Sequence, residues 1–225
     1  MDSSIFAGLD AAIEKAPENF KAGAQKNREI LEKYLSVLDE DIWKLFFESD
    51  DKTVQSYYAK TEEGKLMAKG VATFPFKPDK VEKYARKMEN KPLYDEHFEE
   101  GKIFETHEDK ENQCDIFHLY MRRGNIKMVD PRDFVVNHCY YKVGDVVYSM
   151  AHSITHPDYP ERKGAVRADL EFYIWKYEPG AGGKGCKMTR VFRADPKGSL
   201  PDFVKDLVIK YSGHELLDMR KSMIE

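Results

Sequence analysis

Residues 165–211 read as strand, glycine turn, strand and helix, and few folds accommodate that order. In the first run Val166, Ala168, Leu170, Phe172 and Ile174 alternate with mostly polar or amphipathic partners, the period-2 pattern of a half-buried strand. Gly180, Gly182, Gly183 and Gly185 make the turn, and residues 186–193 return as a second strand. Asp195-Pro196-Lys197-Gly198-Ser199-Leu200-Pro201 then breaks the sheet. Beyond it Phe203, Val204, Leu207, Val208 and Tyr211 recur at steps of three and four, one apolar stripe on a helix. Such a helix needs an apolar surface to cover. The long hairpin before it supplies one.

The rest of the chain fits the same plan. Residues 1–24 are small, polar and charged and read as a loosely packed N-terminal arm with a short helix at 5–16. Residues 27–39 form a better helix, with Ile30, Leu31, Tyr34, Leu35 and Leu38 on one face. Strands follow at 43–48, 53–60 and 65–74, separated by Ser49-Asp50-Asp51 and Glu62-Glu63-Gly64. Asp79, with Glu82 three residues on, starts a helix at 80–88. Strands are expected again at 102–107, 114–121, 134–142 and 146–154. Helix, strands, helix, strands, helix gives an α+β single domain over 1–225.

Charge and cysteine usage narrow the function. The net charge of -4 argues against a nucleic-acid partner, which favours a basic surface. Three dispersed cysteines, Cys114, Cys139 and Cys186, point to free thiols in a reducing, cytoplasmic setting. No apolar run reaches the roughly 20 residues of a membrane-spanning helix. Gly180, Gly182 and Gly185 match G-x-G-x-x-G, but they join two strands and open no helix, so no nucleotide cofactor is implied. The histidines and cysteines lack metal-ligand spacing, and no G-x-S-x-G is present. The sequence calls for no cofactor and no metal.

Four short strings occur in order: Pro131-Arg132-Asp133-Phe134, His156-Pro-Asp-Tyr-Pro-Glu-Arg-Lys163, Gly164-Ala-Val-Arg-Ala168 and Asp195-Pro-Lys-Gly-Ser-Leu-Pro201. Together they resemble the StAR-related lipid-transfer (START) domain, and the likeness runs from about Asp41 to the C-terminus. The phospholipid-binding branch is the most similar. The resemblance implies a helix-grip fold, with a curved antiparallel sheet around a long C-terminal helix and an internal lipid tunnel. It implies a lipid carrier that is not an enzyme, a monomer in the cytoplasm with transient membrane association.

The family pattern assigns roles residue by residue. Lys91 and Asp95 fall where phospholipid and ceramide members carry a basic and an acidic headgroup partner. The choline-cage positions fall on Met121, Phe134 and Glu171, of which only Phe134 is aromatic. A quaternary ammonium prefers aromatic faces, so phosphatidylcholine and phosphatidylethanolamine both stand, Glu171 suiting a primary ammonium. Leu170 and Phe172 read as one apolar face, however, which would turn Glu171 away from the cavity. Arg167 and Asp169 match a common strand motif, as ligand contacts or as a structural ion pair. The positions of the sterol branch's acid and arginine fall on Leu119 and His138, against a sterol. Phe203, Val204, Leu207 and Tyr211 would line the acyl chains. The loop 122–130, with Ile126 and Met128 among cations, would gate the tunnel against a membrane or else fold back as an ordinary surface loop. A lipid sensor, a carrier of ceramide, fatty acid or sterol, and a helix-grip enzyme using Asp95, His138 or Glu171 are the rival readings.

Overall fold

The computed structural model describes residues 3–109, 114–123, 129–198 and 202–224, with side chains described over 5–107, 129–198 and 212–224. Two helices, α1 (Ser3–Lys15) and α2 (Glu18–Tyr34), precede the strands β1 (Lys44–Glu48), β2 (Val54–Lys60) and β3 (Leu66–Phe74). Helix α3 (Pro78–Arg86) and a short 3-10 turn, Met88–Leu93, lead to β4 (Phe98–Asp109) and β5 (Cys114–Arg123). Then come β6 (Arg132–Val143), β7 (Val146–Ser153), β8 (Val166–Arg167), β9 (Asp169–Pro179), β10 (Cys186–Asp195) and α4 (Asp202–Ile224).

Among the described residues these strands form one sheet in the order β1-β2-β3-β10-β9-β7-β6-β5-β4, with β8 beside β6. Pairing along that path is antiparallel, but β8 runs parallel to β6. The sheet is therefore mixed, a correction to the all-antiparallel expectation. The single strand expected from 165 is also split: β8 pairs with β6, its ladder closing on the Ala168 N–H to Asp133 carbonyl bond at 3.0 Å, and β9 starts at Asp169 and pairs with β10 and β7.

Cross-strand register sorts the side chains onto two faces. Cys139, Met150, Ile174 and Val191 are successive partners across β6, β7, β9 and β10, and all four pack in one cluster with α1 and α2. One residue further along each strand, the side chains turn to the opposite face. There Val147, Trp175, Tyr177 and Met188 pack with Val81 and Ala85 of α3 and with Leu216 and Met219 of α4.

Residues 3–24 are not a loose arm. Ile5, Leu9, Ala12 and Ile13 are buried along one stripe of α1, Ala16 is buried just past its end, and Phe20 and Ala24 continue the stripe in α2. Burying each large member contributes about 1.5–3 kcal/mol. Helix α2 begins at Glu18, nine residues before the predicted start, because Pro17 ends one helix and precedes the next. Its close approach to the sheet depends on Gly23, where an added Cβ would lie 2.5 Å from Asn137 Cγ.

Candidate functional site

The Pro131-Arg132-Asp133-Phe134 string is a clasp. Arg132 Nε donates to the Pro196 carbonyl and Nη2 to the Lys197 carbonyl, each at 3.1 Å, fixing the segment ahead of α4. Asp133, fully buried, receives Arg167 Nε at 3.0 Å and Nη2 at 2.9 Å. Arg167 Nη2 also donates to the carbonyls of Tyr159 and Pro160, at 3.2 and 3.0 Å. All four sequence strings thus meet at one end of the sheet. Arg167 pairs with Asp133, while Asp169 lies 3.8 Å from Lys197 Nζ.

Lys91 and Asp95 sit on and just after the 3-10 turn, at the α3 and α4 face. Lys91 Nζ lies 5.2 Å from the Tyr94 ring centroid, and the Tyr94 hydroxyl donates to the Ala85 carbonyl at 2.9 Å. Asp95 is buried and accepts from its neighbour His97 N at 3.2 Å. Burial pushes the Lys91 ammonium down, but Tyr94, Glu215 and Asp95 together outweigh it and hold its pKa above the ordinary lysine value. Glu215 comes from α4, so α4 closes the charged end of this site.

A polar row crosses the sheet beneath α4. Ser56, Gly70, Arg190, Trp175, Ser149 and Tyr140 are successive cross-strand partners from β2 to β6. Arg190, only 2% exposed, donates from Nη1 to Glu215 at 3.0 Å and from Nη2 to the Ser212 hydroxyl at 2.9 Å and carbonyl. Its guanidinium carbon lies 5.3 Å from the Trp175 ring centroid. His138, diagonal to the row, shares a 2.6 Å hydrogen bond with Ser149 Oγ, and burial pushes its pKa down to about 3. Ser56 Oγ, Arg190 Nε and Trp175 Nε1 are buried polar atoms with no hydrogen-bond partner.

Other predicted residues fall as follows. Phe134 packs with Val136, Leu170 and Met88. Met121 is its backbone partner across β5 and β6, with its side chain outside the described residues. Glu171 occupies a β-bulge opposite Arg193 and Ala194, and its carboxylate is paired with Arg193. That extra residue breaks the alternation. Leu170 packs with Phe134 and Val136, whereas Phe172 stacks on Tyr34 of α2 at 3.9 Å, so the two do not share a face as expected. Phe203, Val204, Leu207 and Tyr211 lie in α4 with side chains outside the described residues, and Ile126 and Met128 lie outside them entirely.

Sequence reading missed Arg190, Trp175, Ser56 and Glu215 as site residues. A single arginine in Met188-Thr189-Arg190-Val191-Phe192 reads as a solvent-facing strand position. Its parity with Cys186 and Met188, both buried on the α4 face, is the signal that places it inside. Among the described residues no group of three or more His, Cys, Asp or Glu is arranged to hold a metal ion, and no helix is long and apolar enough to cross a membrane.

The family model for the START domain matches residues 25–221. The chain belongs to the START domain family. It is 35% identical over 78 residues to START domain-containing protein 10 of mouse and of human; the match covers 35% of this chain and spans only 26% of the length of those relatives. In fold it is similar to human StAR-related lipid transfer protein 5, with a TM-score of 0.76 at 20% identity, covering 89% of this chain and 95% of that one. Human STARD10 superposes with a TM-score of 0.72 at 20% identity, covering 93% of this START domain and 81% of that chain.

Proposed function

We propose that this START domain carries a glycerophospholipid, phosphatidylcholine or phosphatidylethanolamine, between membranes as a cytoplasmic monomer that touches membranes transiently. The observation that carries the reading is a charged constellation inside an otherwise apolar interface. Lys91 and Asp95 share an electrostatic environment with Glu215, which pairs with Arg190 where α4 packs on the sheet. Buried charges are costly unless they have partners, and a lipid headgroup is a partner of the right chemistry. Acyl chains would occupy a tunnel between the sheet and the stripe Phe203, Val204, Leu207 and Tyr211. Each methylene removed from water contributes about 0.8 kcal/mol. Release would follow opening of α4 and of the 122–130 loop, where Ile126 and Met128 meet the membrane.

Transfer of fluorescent phosphatidylcholine and phosphatidylethanolamine between donor and acceptor vesicles tests this directly. Wild type should accelerate transfer, and Leu207→Glu, which places a charge on the apolar stripe, should abolish it. Tight binding without acceleration would make the protein a sensor. A folded Leu207→Glu protein with normal transfer would defeat the placement of the chains.

A further inference from the structure

Buried hydrogen-bond donors without partners are uncommon in folded proteins, and a cluster of them asks for an explanation. Arg190 Nε and Trp175 Nε1 are such donors, on paired residues of β10 and β9, in side chains 2% and 1% exposed. Both point to the side of the sheet that α4 covers, where Arg190 reaches Ser212 and Glu215. The glycine in β3 lets Leu216 of α4 and the Arg190 side chain pack directly against the sheet there. A Cβ on Gly70, the partner of Arg190 in β3, would come within 3.2 Å of Arg190 Nε and 2.5 Å of Leu216 Cδ1.

We infer that Trp175 Nε1–H and Arg190 Nε–H form the phosphoryl-oxygen site of a zwitterionic phospholipid headgroup, with the Lys91 ammonium contributing charge. This deepens the lipid-carrier reading and rests on it. Both donors have hydrogen atoms to give and no protein acceptor, so a phosphate oxygen completes them. Lys91 shares the electrostatic environment of Glu215, which is the carboxylate bound by Arg190. The formal charges of Lys91 and Arg190 are balanced by those of Asp95 and Glu215. A headgroup with no net charge keeps that balance, whereas a phosphomonoester would leave buried negative charge uncompensated. The indole contributes one fixed donor, and the acceptor it selects is an anion or carbonyl oxygen, not an ammonium.

The test uses vesicles of phosphatidylcholine and diacylglycerol with identical acyl chains, incubated with the full chain and read by native mass spectrometry. Wild type should load phosphatidylcholine in preference to diacylglycerol. Trp175→Phe keeps the ring and removes the donor. It should lower that preference about tenfold, the loss expected for one hydrogen bond to a charged group. An unchanged preference would overturn the site while leaving lipid carriage intact. Loading of neither lipid by wild type would overturn lipid carriage and the site with it. Inorganic phosphate competing as well as glycerophosphocholine would overturn the headgroup assignment. A second measurement needs no variant. The chain has two tryptophans, and Trp43 Nε1 already donates to the Val37 carbonyl at 2.9 Å. On loading phosphatidylcholine the Trp175 indole proton resonance should move downfield while that of Trp43 stays; a stationary Trp175 signal sinks the proposal.

Discussion

Arg167 and Asp133 face each other as a two-pronged pair, Nε to Oδ1 at 3.0 Å and Nη2 to Oδ2 at 2.9 Å, with the carboxylate fully buried. The parallel β8–β6 contact brings them together, since Asp133 and Arg167 are direct register partners. Two planar groups in this geometry hold each other in orientation as well as in charge.

Asp133→Ala should therefore cost about 3–5 kcal/mol, because it leaves a mostly buried guanidinium without its carboxylate. Urea unfolding measures the loss. Hydrogen exchange should also accelerate through residues 156–163, whose carbonyls at Tyr159 and Pro160 Arg167 holds. A cost below about 1 kcal/mol would mean that the pair merely sits there.

Leu9→Ala separates a packed N-terminal helix from a loose arm. Leu9 is 0% exposed in the cluster that includes Cys139, Met150 and Ile174. Its truncation should cost about 2–5 kcal/mol in equilibrium unfolding. Substitution in a loose arm would shift the transition by almost nothing.

What the sequence made legible follows from what period and turn chemistry encode. Strands β6 and β7 with the Gly144-Asp145 turn, and α4 after Asp195-Pro196, were readable because apolar alternation and breakers agree there. The packing of α1 was not, because Ala12 and Ala16 are small and the acidic and basic residues between them dominate the composition. The bulge at Glu171 was invisible, since one inserted residue leaves the apolar count unchanged while reversing which face Leu170 takes. Lys91 and Asp95 came from family likeness. Arg190 and Glu215, brought together by the fold across 25 residues of chain, could be paired only once α4 was laid on β10.

His138 should give stability a rising slope with pH on the acid side. Burial is the first cause of its depressed pKa, about 3 in the folded protein against 6.5 for an ordinary histidine, with Arg86 and Lys91 adding to it. Between those values the unfolded chain binds the extra proton, so stability is fully present above pH 6.5 and falls as pH drops. The slope is about 1.4 kcal/mol per pH unit for one proton. His138→Gln should remove this rising contribution in urea unfolding measured from pH 4 to 7; a profile parallel to that of wild type would assign the effect elsewhere.

Glu82 works in the opposite sense. It is 1% exposed, and burial raises its carboxyl pKa to about 7 from 4.5, although Arg86 Nε lies 3.1 Å away and pulls it down. Between pH 4.5 and 7 the folded protein holds a proton that the unfolded chain has released. Stability is therefore highest below pH 4.5 as far as this group is concerned and is lost as pH rises through 7. The shift corresponds to about 3 kcal/mol. Glu82→Gln, which stays neutral, should raise stability at pH 8 and change it little at pH 5. Over pH 4.5–6.5 the slopes from Glu82 and His138 cancel, so wild type should show a flatter profile there than either single variant. His138→Gln should then reveal a falling profile and Glu82→Gln a rising one. Parallel profiles in all three proteins would show that neither buried group sets the pH dependence of this fold.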